Sequence, residues 1–279
     1  MYTLTKRIQL NENTVLISVK APLVAARCLP GQFVVLMVHE KGERIPLTVA
    51  DYDREQGTVS MIFQSVGGST RLLAQKKCGE DMFAVVGPLG KPSDLQGIQK
   101  AAVIGGGLGC AIAYPVARAL HEQGCETELI AGFRSREQVI LLEEMAAVSK
   151  HLTLMTDDGS MGEKGFVTDA LRRLLEQGER FDAVYAVGPL PMMKFVCRLT
   201  ESYGIPTVVS MNSIMIDGTG MCGCCRLTVG GKIRFACVDG PEFDGHAVDF
   251  DEAIARNTAY RAQEREADCR LLRKAEEHE

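Results

Sequence analysis

No run of apolar residues in this 279-residue chain reaches the length of a transmembrane helix. The chain also lacks a block of Lys and Arg residues, and its formal net charge is −5, which argues against a nucleic-acid-binding surface. Its five histidines are scattered and indicate no metal site. Tryptophan is absent, and this absence excludes nothing. The sequence therefore predicts no membrane and no nucleic-acid partner.

Disulfide signals and catalytic side-chain sets are also missing. The N-terminus runs directly into strand-like alternation without a signal peptide, and most of the ten cysteines are isolated from one another. Such spacing is typical of free thiols in a reducing cytoplasm. We therefore expect a cytoplasmic protein. No Ser/His/Asp set or paired carboxylates are visible, so we also expect no catalytic acid–base residue.

The hydrophobic pattern predicts two domains followed by two smaller C-terminal elements. Residues 1–97 contain short alternating runs separated by turn residues, which is the pattern of a small β-barrel. Residues 98–210 alternate apolar strands with helices, which predicts an α/β domain built on a doubly wound parallel sheet. Residues 211–250 form a small lobe, and residues 251–279 predict a charged amphipathic helix that packs on its own chain or meets a partner.

The same pattern predicts five helices before the C-terminal one. One short helix falls in the β-barrel region, and the other four follow strands of the α/β domain. The predicted ranges are 69–76, 111–123, 136–148, 167–177 and 191–203.

The most informative stretch is a Gly-rich loop in the C-terminal lobe. Asp217, Cys222, Cys225 and Cys237 follow the spacing D-x4-C-x2-C-x11-C. A plant-type [2Fe–2S] site has the spacing C-x4-C-x2-C and a distant fourth cysteine, so here an aspartate replaces the first cysteine. We expect Cys224 to point away from its neighbours and not to be a ligand. A zinc site and a group of buried, inert cysteines are the alternatives.

A second Gly-rich turn, between a predicted strand and a predicted helix, indicates a dinucleotide site. Gly105 and Gly107 approximate the fingerprint G-x-G-x-x-G, with Cys110 at the position of the third glycine and Gly109 just before it. The N-terminus of the following helix would hold a pyrophosphate group. The alternative is a tight turn without a ligand.

Later strand ends of the α/β domain carry further candidates. The second strand ends near Arg134 and Arg136 instead of the usual acidic residue, and an arginine there could face the 2′-phosphate of NADP. Asp157 and Gly188 follow two later strands, where ordinary turn chemistry is the alternative. These residues leave the choice between NAD and NADP open.

In this order, the motifs resemble the ferredoxin–NADP reductase superfamily over nearly the whole chain. The resemblance is closest to its iron–sulfur branch, which holds the electron-transfer subunits of dihydroorotate dehydrogenase and of NADH-dependent reduced ferredoxin:NADP oxidoreductase. The aspartate at position 217 and the form Arg44-Ile-Pro-Leu-Thr48 look like the latter subunit.

The resemblance implies that the β-barrel binds FAD. Pro46, Leu47 and Thr48 resemble the first flavin motif of the family, which has an arginine three positions before its last residue. Here Arg44 lies four positions before Thr48, and this departure leaves its contact with the FAD phosphates open.

A second flavin motif of the family is similar to Gly67, Gly68, Ser69 and Thr70. Its backbone N–H groups and hydroxyls suit the FAD pyrophosphate. Gln64, on the preceding strand, would lie near the isoalloxazine ring or the ribityl chain.

The resemblance also implies an oxidoreductase subunit that exchanges hydride with NAD(H) at FAD and passes single electrons through a [2Fe–2S] cluster. Its partner in a heterodimer would be a larger glutamate-synthase-like flavoprotein and iron–sulfur subunit, with ferredoxin reached through the complex. The alternatives are the electron-transfer subunit of NAD-dependent dihydroorotate dehydrogenase and a redox-sensing module without enzymatic activity.

Overall fold

The computed structural model describes residues 2–259 together with residues 263 and 266. In this part of the chain, two seven-stranded sheets and one β-hairpin are accompanied by seven α-helices. The strands are β1 (Tyr2–Gln9), β2 (Thr14–Lys20), β3 (Phe33–Met37), β4 (Ile45–Asp53), β5 (Thr58–Gln64), β6 (Asp81–Met82), β7 (Ala84–Leu89), β8 (Lys100–Gly106), β9 (Glu126–Phe133), β10 (His151–Thr156), β11 (Glu163–Lys164), β12 (Ala183–Val187), β13 (Thr207–Ser210), β14 (Arg226–Val229), β15 (Lys232–Phe235) and β16 (Glu242–Asp244). The helices are α1 (Pro22–Ala25), α2 (Gly68–Gln75), α3 (Gly109–Glu122), α4 (Leu142–Ala147), α5 (Val167–Glu176), α6 (Leu190–Ser202) and α7 (Phe250–Thr258).

The N-terminal sheet is antiparallel and has the strand order β6-β1-β2-β5-β4-β3-β7. Val15, Ile17 and Val19 alternate along β2 and are fully buried, in one core with Met61 and Phe63 of β5. Alternate residues of a strand lie on one face, so the sheet curls around that apolar face. The predicted β-barrel is confirmed as a curled half-barrel.

The second sheet has the order β11-β10-β9-β8-β12-β13-β16. Its pairs are parallel except that β16 runs antiparallel to β13. Ala101 and Val103 of β8 belong to the core that contains α3, whereas Ala102 and Ile104 belong to the core that contains α5 and α6. Helices therefore cover both faces, which confirms the predicted doubly wound sheet. The direction of strand order reverses between β8 and β12, where such sheets bind ligands.

The C-terminal lobe shares its core with both other parts of the chain. Cys225 and Cys237 are buried in the same apolar cluster as Phe33 of β3 and Leu171 of α5. The lobe also returns a strand, β16, to the edge of the α/β sheet. A segment of this size cannot bury enough apolar surface alone, so the lobe relies on its neighbours for its core.

Four of the five predicted helices are confirmed to within about two residues. The predicted helix over 136–148 is wrong, because only a 3-10 turn at Arg136–Gln138 and the short α4 form there. Leu141, between them, has a φ of 54°, and this left-handed conformation interrupts helical hydrogen bonding. Ile140 is buried just before it, which explains the helix-like apolar spacing.

The remaining helical differences concern the two smallest elements. The four-residue α1 was not predicted, because a single turn gives no periodic pattern. α7 begins one residue before the predicted helix over 251–279 and overlaps its start. The later residues of that prediction, except 259, 263 and 266, lie outside the described part of the chain. No helix in the described residues is both long and apolar enough to cross a bilayer.

Candidate functional site

The four ligands predicted in the C-terminal lobe lie in the structure as two pairs. The Sγ atom of Cys222 lies 3.4 Å from Oδ1 of Asp217, and the Sγ atom of Cys225 lies 3.2 Å from that of Cys237. The second distance is far beyond a covalent S–S bond, and these cysteines are free. Cys222 is exposed, whereas Cys225 and Cys237 are buried. One pair therefore faces solvent and the other faces the core.

This pairing fits an iron–sulfur cluster with two irons better than it fits zinc. A structural zinc ion needs four ligands around one centre. Within the described residues, no three His, Cys, Asp or Glu side chains are grouped so that they could hold one metal ion. Two separate pairs with carboxylate and thiolate donors instead suit two irons bridged by sulfide.

Asp217 organises the loop that carries the exposed pair. Its carboxylate accepts hydrogen bonds from the backbone N–H groups of Thr219, Met221 and Cys222 at 3.1, 2.9 and 2.9 Å. These bonds, the one from Thr219 first, lower the pKa of Asp217 to about 2. The carboxylate is therefore ionised at neutral pH, which is the form that a metal ligand requires.

The buried pair and Cys224 have different surroundings. Burial, reinforced by Cys225, raises the pKa of Cys237 to about 12, so binding of iron there must displace a proton. Cys224 lines a separate cavity of about 170 Å³ together with Met211, Arg226 and other residues. That Cys224 is not a ligand stays a prediction.

The first group of predicted flavin residues lies on β4. Pro46, Leu47 and Thr48 pair with residues of β3, and Leu47 is buried while its two neighbours are partly exposed. Gln64 is the last residue of β5 and is also partly exposed. The sheet thus brings three of these side chains to accessible positions.

The second group forms the N-terminus of α2. Gly67 is the N-cap and Gly68 the first helical residue. The hydroxyl of Thr70 accepts a hydrogen bond from the N–H of Gly67 and donates one to its carbonyl, at 3.1 and 3.0 Å. The hydroxyl of Ser69 donates to the carboxylate of Glu43. Both hydroxyls expected to face a pyrophosphate are therefore engaged within the protein, and the backbone N–H groups remain as the anion-binding element.

The open space in front of Gly67 allows a direct test of the predicted pyrophosphate site at the N-terminus of α2. A Cβ atom at Gly67 would meet no atom within 4 Å, and its φ of −133° suits any residue. We expect Gly67→Ala to change the free energy of unfolding of the FAD-free protein by less than about 1 kcal/mol. We expect its FAD affinity to fall, because the methyl group occupies space close to the predicted pyrophosphate. Gln75→Ala, at the exposed far end of α2, is the control, and equal FAD-to-protein ratios in both variants would contradict the prediction.

The Gly-rich turn after β8 brings a helix close to two strands. A Cβ at Gly105 would lie 2.6 Å from Cα of Cys110, and one at Gly109 would lie 2.2 Å from the carbonyl oxygen of Val187. Gly107 has a φ of +57°, and a Cβ there would meet nothing within 4 Å. Gly105 and Gly109 thus permit close packing, and Gly107 leaves open space at the start of α3.

The other predicted nucleotide residues lie along the same edge of the sheet. Arg134, Asp157 and Gly188 follow β9, β10 and β12, and the parallel register places these strand ends beside the end of β8. Arg134 and Asp157 are exposed. Met192 was not predicted, yet its side chain lies against Gly106 and Gly188, where the strand order reverses. Its helical position gave no signal of this contact.

The half-barrel and the α/β domain meet beside both motifs. Arg118 of α3 forms a 2.5 Å ion pair with Asp51 of β4 and lies 5.9 and 5.8 Å from the rings of Tyr52 and Tyr114. The strand with the first flavin motif is therefore tied to the helix that follows the dinucleotide turn. No sequence pattern indicated this contact.

Glu242 is a second unpredicted residue at a junction. The hydroxyl of Ser93, in the segment between the half-barrel and β8, donates a 2.8 Å hydrogen bond to its Oε1 atom. Burial raises the pKa of Glu242 to about 7. Burial and then Glu242 itself raise the pKa of the nearby Tyr185. A titratable carboxyl group therefore lies where the lobe, the linking segment and the sheet meet.

Comparison with known proteins places the chain in a family. Residues 212–249 match the iron–sulfur cluster binding domain of dihydroorotate dehydrogenase B, and residues 103–198 match the oxidoreductase NAD-binding domain. The chain is 31% identical over 250 residues to the dihydroorotate dehydrogenase B (NAD(+)) electron transfer subunit of Fusobacterium nucleatum, covering 86% of this chain and 95% of that protein. The chain belongs to the dihydroorotate dehydrogenase B electron transfer subunit family.

Two further proteins are more similar to this chain. A Thermotoga maritima homolog of the electron transfer subunit is 46% identical over 276 residues, covering 99% of this chain and 97% of that protein. The chain also matches a solved structure of the NADH-dependent reduced ferredoxin-NADP oxidoreductase, which is described in connection with flavin-based electron bifurcation. The TM-score is 0.92 and the identity 44%, and the match covers 98% of both chains. The predicted superfamily and fold are therefore confirmed.

Membership in the electron transfer subunit family also confirms the coarser functional predictions. The chain is an NAD(P)H oxidoreductase subunit that transfers electrons, and the matched domains and relatives support FAD, an iron–sulfur cluster and NAD(H) as its cofactors. Its relatives are subunits, which implies a larger catalytic partner. The roles of individual site residues stay predictions.

Proposed function

We propose that the chain is the small subunit of a complex of the NADH-dependent reduced ferredoxin:NADP oxidoreductase type. It would exchange hydride with NAD(H) at FAD and pass single electrons through a [2Fe–2S] cluster to its partner. The observation that carries this proposal is the pairing of Asp217 with Cys222 and of Cys225 with Cys237. Aspartate at the first ligand position favours this type over the dihydroorotate-oxidising one.

Each cofactor has a proposed set of residues. For FAD the set is Pro46, Leu47, Thr48, Gln64, Gly67, Gly68, Ser69 and Thr70, and for NAD(H) it is Gly105, Gly107, Gly109, Arg134, Asp157 and Gly188. When bound, FAD supplies the conversion between hydride transfer and single-electron transfer. The protein binds the cofactors, orients them and keeps water from the buried cysteine pair.

The partner is proposed to dock at the exposed side of the cluster loop. Cys222 is exposed there, and Ile216, Met221 and Val238 leave 52%, 86% and 40% of their surface exposed. Exposed apolar side chains around a polar site are typical of protein interfaces. We propose a larger glutamate-synthase-like flavoprotein and iron–sulfur subunit as the partner, with ferredoxin reached through the heterodimer. The isolated cysteines support a cytoplasmic location.

The first test is the reduction of the purified protein by NADH and by NADPH. We expect NADH to bleach the flavin absorbance band faster and then to produce the EPR signal of a reduced [2Fe–2S] cluster. A clear preference for NADPH would contradict the proposed specificity and assign Arg134 or Arg136 to the 2′-phosphate. Arg134→Gln or Arg136→Gln should then weaken the preference for NADPH, whereas neither variant should remove a preference for NADH.

Dihydroorotate oxidation is the second candidate, because the curated relatives are named for it. Co-purification of the native complex separates the two candidates. A partner that reduces NADP supports the first, and a partner that oxidises dihydroorotate supports the second. A redox sensor without enzymatic activity would be indicated if the purified protein holds the cluster but no FAD.

A further inference from the structure

Arg44 contacts the cluster loop. Its Nε atom donates a 2.9 Å hydrogen bond to the carbonyl oxygen of Ile216, and its Nη2 atom donates one of 2.9 Å to that of Asp217. The guanidinium group therefore spans two successive carbonyl groups at the base of the loop. This contact joins the residue just before β4 to the first proposed cluster ligand.

The position of Arg44 in the motif explains the direction of its side chain. It lies four residues before Thr48, instead of three. Successive side chains of an extended strand point to opposite faces, so a displacement by one residue turns the arginine to the other face of the strand. Ile45, at the position three before, is buried in the half-barrel core.

A second contact holds the same part of the loop on the half-barrel. Gly218 has a φ of +76°, and a Cβ there would lie 2.9 Å from Cγ2 of Val35 and 3.0 Å from Cδ1 of Leu89. The backbone after Asp217 thus lies directly on β3 and β7. Asp217 is therefore held both by the hydrogen bond from Arg44 and by the close packing of the next residue.

The charge of Arg44 also bears on the cluster. Asp217 presents its carboxylate to Cys222 while its own carbonyl accepts a hydrogen bond from the cation. A positive charge that is hydrogen-bonded to the backbone of a proposed cluster ligand stabilises the reduced cluster, which carries one more negative charge than the oxidised cluster. Loss of that charge would make the cluster harder to reduce.

We propose that Arg44 is a positioning residue that couples the first flavin strand to the Asp217 side of the iron–sulfur cluster. It fixes the loop base by two hydrogen bonds and raises the reduction potential of the cluster by its charge. The inference rests on the cluster site proposed above and gives Arg44 a role distinct from that of an FAD phosphate ligand.

The test compares Arg44→Gln and Arg44→Lys in the full-length, cofactor-loaded protein. We expect Arg44→Gln to lower the cluster potential in an EPR-monitored redox titration and to shift the g-values, with an unchanged FAD-to-protein ratio. Amide hydrogen exchange over residues 216–222 should accelerate by about tenfold or more, since a hydrogen bond from a charged group contributes about 1.5–3 kcal/mol. Arg44→Lys keeps the positive charge, so its cluster potential should match that of wild type. It should retain only part of the protection of residues 216–222 against amide hydrogen exchange.

Lys41→Gln is the matched control, because it removes a positive charge from the exposed loop before β4. It should leave the potential, g-values and exchange unchanged. If Arg44→Gln loses FAD while its cluster spectrum matches wild type, Arg44 belongs to the flavin site and the inference is refuted. Unchanged potential and exchange in both Arg44 variants would also refute it. A wild-type protein without iron would instead refute the proposed function, and this inference with it.

Discussion

The Asp217→Ala variant is expected to lose most of its iron–sulfur cluster while it retains FAD. Substitution of a residue that only orients a metal ligand costs about 10–100-fold in metal affinity, and loss of a ligand should cost no less. Asp217→Cys should assemble a cluster, because the resulting spacing is C-x4-C-x2-C, but with altered potential and g-values. Iron and sulfide analysis together with EPR spectra measure both results.

Two controls separate the ligand role of Asp217 from its role in folding the loop. Its carboxylate accepts three backbone hydrogen bonds, and an asparagine side chain keeps one acceptor oxygen for them but no negative charge. Asp217→Asn should therefore also lose iron if Asp217 is a ligand. Cys224→Ala should keep the cluster. A native cluster in Asp217→Ala and its loss in Cys224→Ala would make Cys224 the fourth ligand.

The Glu242→Gln variant is expected to gain stability relative to wild type as the pH rises from 5 to 8. The folded-state pKa is raised from 4.5 to about 7, so between these values the folded protein binds more protons than the unfolded chain. A group whose pKa is raised on folding contributes most to the free energy of unfolding below its unfolded-state pKa. This contribution is lost as the pH rises through the folded-state pKa. The shift corresponds to about 3 kcal/mol at most.

Urea unfolding at several pH values measures this effect as a difference in the free energy of unfolding between variant and wild type. The contributions of other titrating groups cancel in this difference. The free energy of unfolding of Glu242→Gln minus that of wild type should increase with pH. Glu55→Gln, at an exposed position of the half-barrel, should show no such trend. A difference that is flat across this range would show that Glu242 titrates normally. If the same comparison is made in a Ser93→Ala background, the rise of the difference should occur at higher pH. The reason is that the hydrogen bond from Ser93 lowers the pKa of Glu242.

Much of the fold could be predicted because its signals are local. Val15, Ile17 and Val19 alternate along one strand, and the strand and helix alternation after Lys100 is regular. The helix predicted over 136–148 failed because the left-handed Leu141 and the buried Ile140 depend on packing against the rest of the domain. Local periodicity carries no information on such tertiary constraints.

The sequence by itself determined the types of the proposed ligands and the order of the motifs. The spacing from Asp217 to Cys237 meets the chemical needs of the proposed cluster, and the glycines after β8 permit close packing. Both patterns lie within short segments, so they can be recognised without the tertiary structure. Only the tertiary structure decided which residues meet across the chain, namely Arg44 with the cluster loop, Arg118 with Asp51, and Glu242 with Ser93. These contacts join positions 172, 67 and 149 residues apart, so they depend on how the two sheets and the lobe pack, which no local pattern encodes.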